Sequence, residues 1–225
     1  MSTKPIIFIN FKKIAKDRAI SLVRDLEHVD RQILELFDVV VGVRAADCCC
    51  IASETSLPVF LQDFDSNQDK SDINAGVRGV ILNHPEQTIT HEQIRQDLEA
   101  ARKNSFQTIL CAASLDECAT ISDTFDSDFI AVENPDIIGK DISLVESSQE
   151  YVEKALEKAD RQRVLFGGGI KSNRDINFVI DTGGAGVLVS SLIVKAEKPL
   201  AALHELLNPI YYHHLAKRPE EATCQ

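Results

Sequence analysis

The sequence is short of positive charge: 24 Lys and Arg stand against 35 Asp and Glu, for a net charge of −11. Binding a nucleic-acid backbone requires clustered cations that displace counterions, so this balance argues against nucleic acid as a partner. Nor does any run approach the roughly 20 apolar residues of a membrane-spanning helix, which removes the membrane as a partner. The apolar stretch Pro5 to Ile9 gives way at once to Asn10, Phe11, Lys12 and Lys13, unlike a secretory signal. A cytoplasmic protein is the expectation. Cysteine is present, at 48, 49, 50, 111, 118 and 224, but not in a useful arrangement. Three adjacent cysteines build no regular disulfide framework, and structural zinc sites space theirs by about two to four residues. They are read as packing thiols, and His213, His214 and Cys224 as part of a frayed end, with no metal. Also missing is a Gly-x-Gly-x-x-Gly after the first apolar run, where Asn10-Phe11-Lys12 stands instead. That argues against an open, doubly wound nucleotide-binding sheet.

What the chain does have is alternation. Hydrophobic residues make up 44% and charged ones 26% of 225 residues, the composition of an ordinary globular chain and a size that suits one α/β barrel. Short β-branched runs read as strands at Pro5 to Ile9, Val39 to Val43, Val59 to Leu61, Gly79 to Leu82, Thr108 to Cys111, Phe129 to Val132, Val164 to Phe166 and Gly186 to Val189. Helical spacing of apolar residues follows in Ile14 to His28 and Glu92 to Lys103, and Ser172 with Asp175 reads as the start of another helix. Eight strands with helices between them predict a closed (β/α)8 barrel. No repeat or linker interrupts the pattern, so residues 1–208 are expected to form one domain, followed by a polar tail over 209–225.

In such a barrel the chemistry collects at the carboxyl ends of the strands. Asn10 and Lys12 follow the first run, Asn83 and His84 the fourth and Glu133 the sixth; Gly167 to Gly169 and Ser190-Ser191 follow the last two. Each is weak alone, but the fold brings a carboxylate, an imidazole, an ammonium and exposed backbone N–H groups to one mouth, where they can handle a small phosphorylated molecule.

Five segments in this order resemble the triosephosphate isomerase family, archaeal type, over roughly Pro5 to Leu207: Asn10-Phe11-Lys12; Asn83-His84-Pro85-Glu86; Glu133-Asn134-Pro135 with Ile138-Gly139; Gly167-Gly168-Gly169-Ile170; and Gly186 to Ser191. The resemblance implies a TIM barrel that interconverts glyceraldehyde 3-phosphate and dihydroxyacetone phosphate through an enediolate, without metal or organic cofactor. By matching positions, it implies that Glu133 is the base, that neutral His84 polarises the carbonyl, that Lys12 and Asn10 stabilise the oxyanion and that Glu86 holds Lys12. Phosphate would sit on the backbone of Gly139, Gly168, Gly169, Ser190 and Ser191. Pro85 suggests that a short helix starts beside His84 and keeps the ring uncharged.

The sequence departs from the family in four places. Between Asp63 and Gly76 there is no Thr-Gly pair and no room for both a docking loop and a helix; with Asp63, Asp65, Asp69 and Asp72 this segment reads as a solvated loop, and the chain as a monomer or weak homo-oligomer. Pro85 replaces serine and leaves the Glu86 N–H intact. Asn134 replaces proline, predicting a looser lid hinge, and Leu192 replaces glycine and would crowd the phosphate. The alternative these departures suggest is a barrel that binds a phosphometabolite in a regulatory role without turnover.

Overall fold

The computed structural model describes residues 4–66, 76–134, 136–137, 140, 142–147, 149–159 and 163–207. Eight strands, β1 (Ile6–Asn10), β2 (Asp38–Val43), β3 (Val59–Leu61), β4 (Val77–Leu82), β5 (Gln107–Ala112), β6 (Phe129–Glu133), β7 (Val164–Gly167) and β8 (Gly186–Val189), close into a barrel in sequence order. Every neighbouring pair is parallel, including β8 with β1, where Ile6 pairs with Gly186. All eight expected strands are present. Six shift by one or two residues, mostly to take in a polar residue or glycine, such as Asn10, Asp38, Gln107, Glu133 and Gly167, that an apolar-run criterion passes over.

Pleating divides the core into two layers. Inside the barrel lie Phe8, Val40, Phe60, Ile81, Ile109, Cys111, Ala131, Leu165 and Leu188. Their strand neighbours, such as Ile7, Ile9, Val39 and Val41, face the helices. Phe8 and Phe60 meet edge to face at 5.5 Å. They fit because β2 and β4 carry glycine opposite: a Cβ at Gly42 would run into the Phe8 ring, and one at Gly79 into Phe60.

Outside run α1 (Lys16–Leu26), α2 (Arg31–Leu36), α3 (Cys48–Ala52), α4 (His91–Lys103), α5 (Leu115–Thr124), α6 (Leu144–Ser147), α7 (Gln149–Lys158), α8 (Asn173–Thr182), α9 (Ser191–Val194) and a helical run over 199–207. α1 is shorter than its periodicity predicts and buries Ala19, Leu22, Val23 and Leu26, leaving Ile14 and Ile20 half-buried. Thr90 caps α4 by accepting from the Gln93 N–H at 3.2 Å, and Ser172 with Asp175 forms a reciprocal capping box on α8. The cysteine run folds as α3, with Cys48 buried and Cys49 and Cys50 half-buried. Among the described residues no helix is long and apolar enough to cross a membrane.

The β3–β4 connection differs in part from a solvated loop. Phe64 is buried and meets Phe106 edge to face at 6.3 Å, while Asp63 accepts from the Ala45 N–H at 2.6 Å and Ser66 N–H reaches Asp97 on α4 at 2.9 Å. Its start is thus packed, because these carboxylates satisfy backbone donors. Asp69 and Asp72 lie outside the described residues, as does the tail over 209–225.

Candidate active site

The pleat that points Phe8 into the barrel brings the residue two further on, Asn10, inward again at the carboxyl-end mouth. The same step leads from Ala131 to Glu133 and from Leu188 to Ser190. These three line one cavity of about 600 Å³, together with Lys12, Gly168, Gly169 and Ser191. Closing the barrel therefore gathers residues more than a hundred positions apart.

His84 is buried beside this cavity. The Glu86 N–H donates to its Nδ1 at 3.2 Å, so the hydrogen-bond pattern assigns the proton of the neutral ring to Nε2. Burial lowers its pKa first, and the Lys12 ammonium adds to this, with Glu86 opposing and Lys13 reinforcing. The expected helix at Pro85 is absent: residues 85–86 form a turn, with Gln87 N–H on the His84 carbonyl at 2.7 Å. A turn prevails because the chain must reach Thr90, the cap of α4, within six residues. The ring is kept neutral by burial and lysine, not by a helix dipole.

Asn10 Oδ1 accepts from the Lys12 N–H at 3.0 Å, which turns its Nδ2 toward His84 Nε2 at 3.3 Å. Two donors therefore face each other with no acceptor between them, an arrangement suited to an incoming anionic oxygen. Lys12 itself has φ 54°, a strained value for a side-chain-bearing residue, and its Nζ lies 3.5 Å from Glu86 Oε1. Both side chains are partly exposed, so this ion pair orients the ammonium more than it stabilises the fold.

Glu133 ends β6. Its pKa is raised, chiefly by burial, with Lys12 opposing and Glu86 adding to the rise. Gly167 lets it lie flat across β7, since a Cβ there would stand 2.7 Å from Oε1. Tyr151 on α7 donates to its backbone carbonyl at 3.2 Å.

At the opposite end of the cavity Gly168 and Gly169 take φ 73° and 72°, so the triple glycine is both a tight turn and a cavity wall. Asp175, fully buried, fixes this loop: Oδ2 accepts from the Lys171 N–H at 3.1 Å and the Ser172 N–H at 3.0 Å, and Oδ1 from the Val145 N–H at 3.0 Å. Ser190 caps α9, whose first residue is Ser191, giving a backbone terminus suited to an anion. Leu192, 37% exposed, lines the same wall. So do Lys140, Lys171 and Lys195, which sequence reasoning missed; the signal was available, since Lys171 directly follows the Gly-Gly-Gly-Ile run. Gly139 lies outside the described residues, as do Pro135 and Ile138. Asn134 is buried, and its Oδ1 accepts from the Asp136 N–H at 3.0 Å.

Comparison with known proteins gives one consistent result. The family model described as triosephosphate isomerase matches residues 5–208. A triosephosphate isomerase of Methanobrevibacter smithii is 30% identical over 222 residues, 92% of this chain and 99% of the relative. That of Methanosarcina barkeri is 32% identical over 186 residues, 77% of this chain and 83% of the relative. That of Archaeoglobus fulgidus is 30% identical over 218 residues, 90% and 96% of the two chains.

Proposed function

The chain belongs to the triosephosphate isomerase family, and from that premise we propose how it interconverts D-glyceraldehyde 3-phosphate and dihydroxyacetone phosphate. The observation that carries the reading is a half-buried carboxylate with a raised pKa sharing one mouth with donors that lack an acceptor. Glu133 takes the proton from the carbon beside the carbonyl, leaving an enediolate, and returns it to the neighbouring carbon. Its raised pKa makes it a stronger base than an ordinary glutamate.

The negative charge develops on oxygen, where the Nε2–H of His84, the Nδ2 of Asn10 and the Lys12 ammonium converge. A neutral imidazole donates without having to lose a proton first, which suits reaction in both directions. Glu86 acts twice, through its N–H on the His84 ring and its carboxylate on Lys12. Phosphate rests on the backbone of Gly168, Gly169, Ser190 and Ser191, with Gly139 from the lid, and the reaction needs neither metal nor organic cofactor. We take residues 1–208 as the catalytic barrel of a cytoplasmic enzyme and 209–225 as its tail. The short β3–β4 connection supports a monomer or weak dimer, which elution at low protein concentration tests; a stable tetramer would refute it.

Turnover of glyceraldehyde 3-phosphate by the purified chain is the direct test of the activity. The expected result is isomerisation; a folded protein that binds the triose phosphate but does not turn it over would sink the proposal in favour of a regulatory barrel.

A further inference from the structure

Asn83 immediately precedes His84 and holds an unusual backbone, φ 55°, while being 92% buried (8% exposed). Left-handed backbone is uncommon at residues other than glycine and persists where the surroundings hold it. Here the surroundings are explicit. The Asn83 Nδ2 donates to the Cys111 carbonyl on β5 at 3.0 Å and to Glu117 Oε1 on α5 at 3.0 Å, and its Oδ1 accepts from the Ile89 N–H at 3.2 Å. Glu117 is itself fixed, its Oε2 accepting from the Ala113 N–H at 2.8 Å and its own N–H resting on the Ser114 hydroxyl at 3.1 Å.

One carboxamide thus closes the loop from 84 to 89 at both ends and fastens it to the next βα unit. That loop carries both groups on which the His84 tautomer depends: the imidazole and the Glu86 N–H. Neither Asn83 nor Glu117 lines the substrate cavity. We propose that Asn83 and Glu117 are positioning residues for His84: by pinning the 84–89 loop to β5 and α5 they keep the Glu86 N–H on Nδ1 and the ring proton on Nε2, facing the substrate oxygen. The inference rests on the role given above to neutral His84. Outer partners that fix the tautomer of a metal-ligating histidine are commonly worth about 10- to 100-fold, and an effect of that order is expected for His84.

The decisive variant is Asn83→Gly, which tolerates the left-handed backbone and removes only the carboxamide. Glu117→Gln is its companion, near-isosteric but unable to accept from both Asn83 and Ala113. In each, kcat should fall about tenfold or more with KM within about twofold, because the phosphate end is untouched. Nitrogen NMR of the His84 ring should change from one tautomer, protonated at Nε2, to a mixture. This readout needs no turnover, so an inactive wild type would count against the isomerase reading and leave the tautomer test standing. A folded Asn83→Gly with wild-type kcat and one tautomer overturns the proposal, as does a loss of thermal stability with both unchanged. If Asn83→Gly does not fold, Glu117→Gln decides by the same two measurements. Failure of both to fold would make the network purely structural and would also overturn it.

Discussion

The barrel opens at both ends, and the two ends are built differently. The amino-end cavity is the larger, about 680 Å³ against 600 Å³, and its lining includes Phe8, Phe60, Ile109 and Phe129 beside the polar Lys4, Asp38 and Gln107. The carboxyl-end cavity holds Glu133, Asn10 and Lys12, with His84 packed beside it. Volume therefore does not mark the reacting end. Left-handed backbone does not mark it either, since Ser105 ahead of β5 adopts it as Lys12 and Asn83 do; what marks it is the opposed donors at Asn10 and His84 and a half-buried carboxylate held against its preference for water. Such costs are kept where they serve chemistry, whereas the amino end carries ring packing and contributes stability.

The largest effect that separates the ends is expected from Glu133→Gln, which removes the base and should lower kcat by at least about 10²-fold with little change in melting temperature. A variant that keeps wild-type kcat would dissolve the distinction.

Next comes pH. Because burial raises the Glu133 pKa, kcat/KM should fall on the acid side with a midpoint above the ordinary glutamate range, approaching tenfold per pH unit below it. The sign follows from the base working only when ionised. Burial and the Lys12 ammonium move the His84 titration to lower pH than that of a free imidazole. A profile flat down to pH 4 would contradict this.

A smaller change is expected at the phosphate end. Replacing both Lys171 and Lys195 by Gln should raise KM about five- to tenfold, at roughly 0.5–0.7 kcal/mol for each exposed charge pair. It should also flatten the salt dependence of kcat/KM while sparing kcat. An unchanged salt slope would show that the backbone alone captures the phosphate.

The smallest effect on turnover belongs to the amino end. Phe60→Leu should cost on the order of 1–3 kcal/mol of stability and leave kcat within about twofold. Loss of activity without loss of stability would mean that the two ends are coupled.

How much of this could be read from the chain depends on distance in sequence. The strands were legible because runs such as Val39 to Val43 and Val164 to Phe166 are β-branched and bounded by polar residues, and closure follows from having eight of them. Asn10, Lys12, His84 and Glu133 were legible because each stands just past such a run. Contacts between distant residues were not: Asn83 and Glu117 are 34 positions apart and become partners only when β4 and β5 lie side by side. Local bonds made by a substituted side chain were not legible either, such as the one Asn134 Oδ1 accepts from the Asp136 N–H. At Pro85 the propensity for a helix start yielded to the short path to α4, and a turn formed.

The central claim is that Glu133 moves the carbon-bound proton at the carboxyl-end mouth. The most direct measurement follows dihydroxyacetone phosphate by NMR in deuterium oxide, with wild type beside Glu133→Gln. Deuterium is expected to enter at the carbon beside the carbonyl with the wild type and essentially not at all with the variant. Exchange at the wild-type rate in a folded Glu133→Gln protein would contradict it and assign the proton to another group.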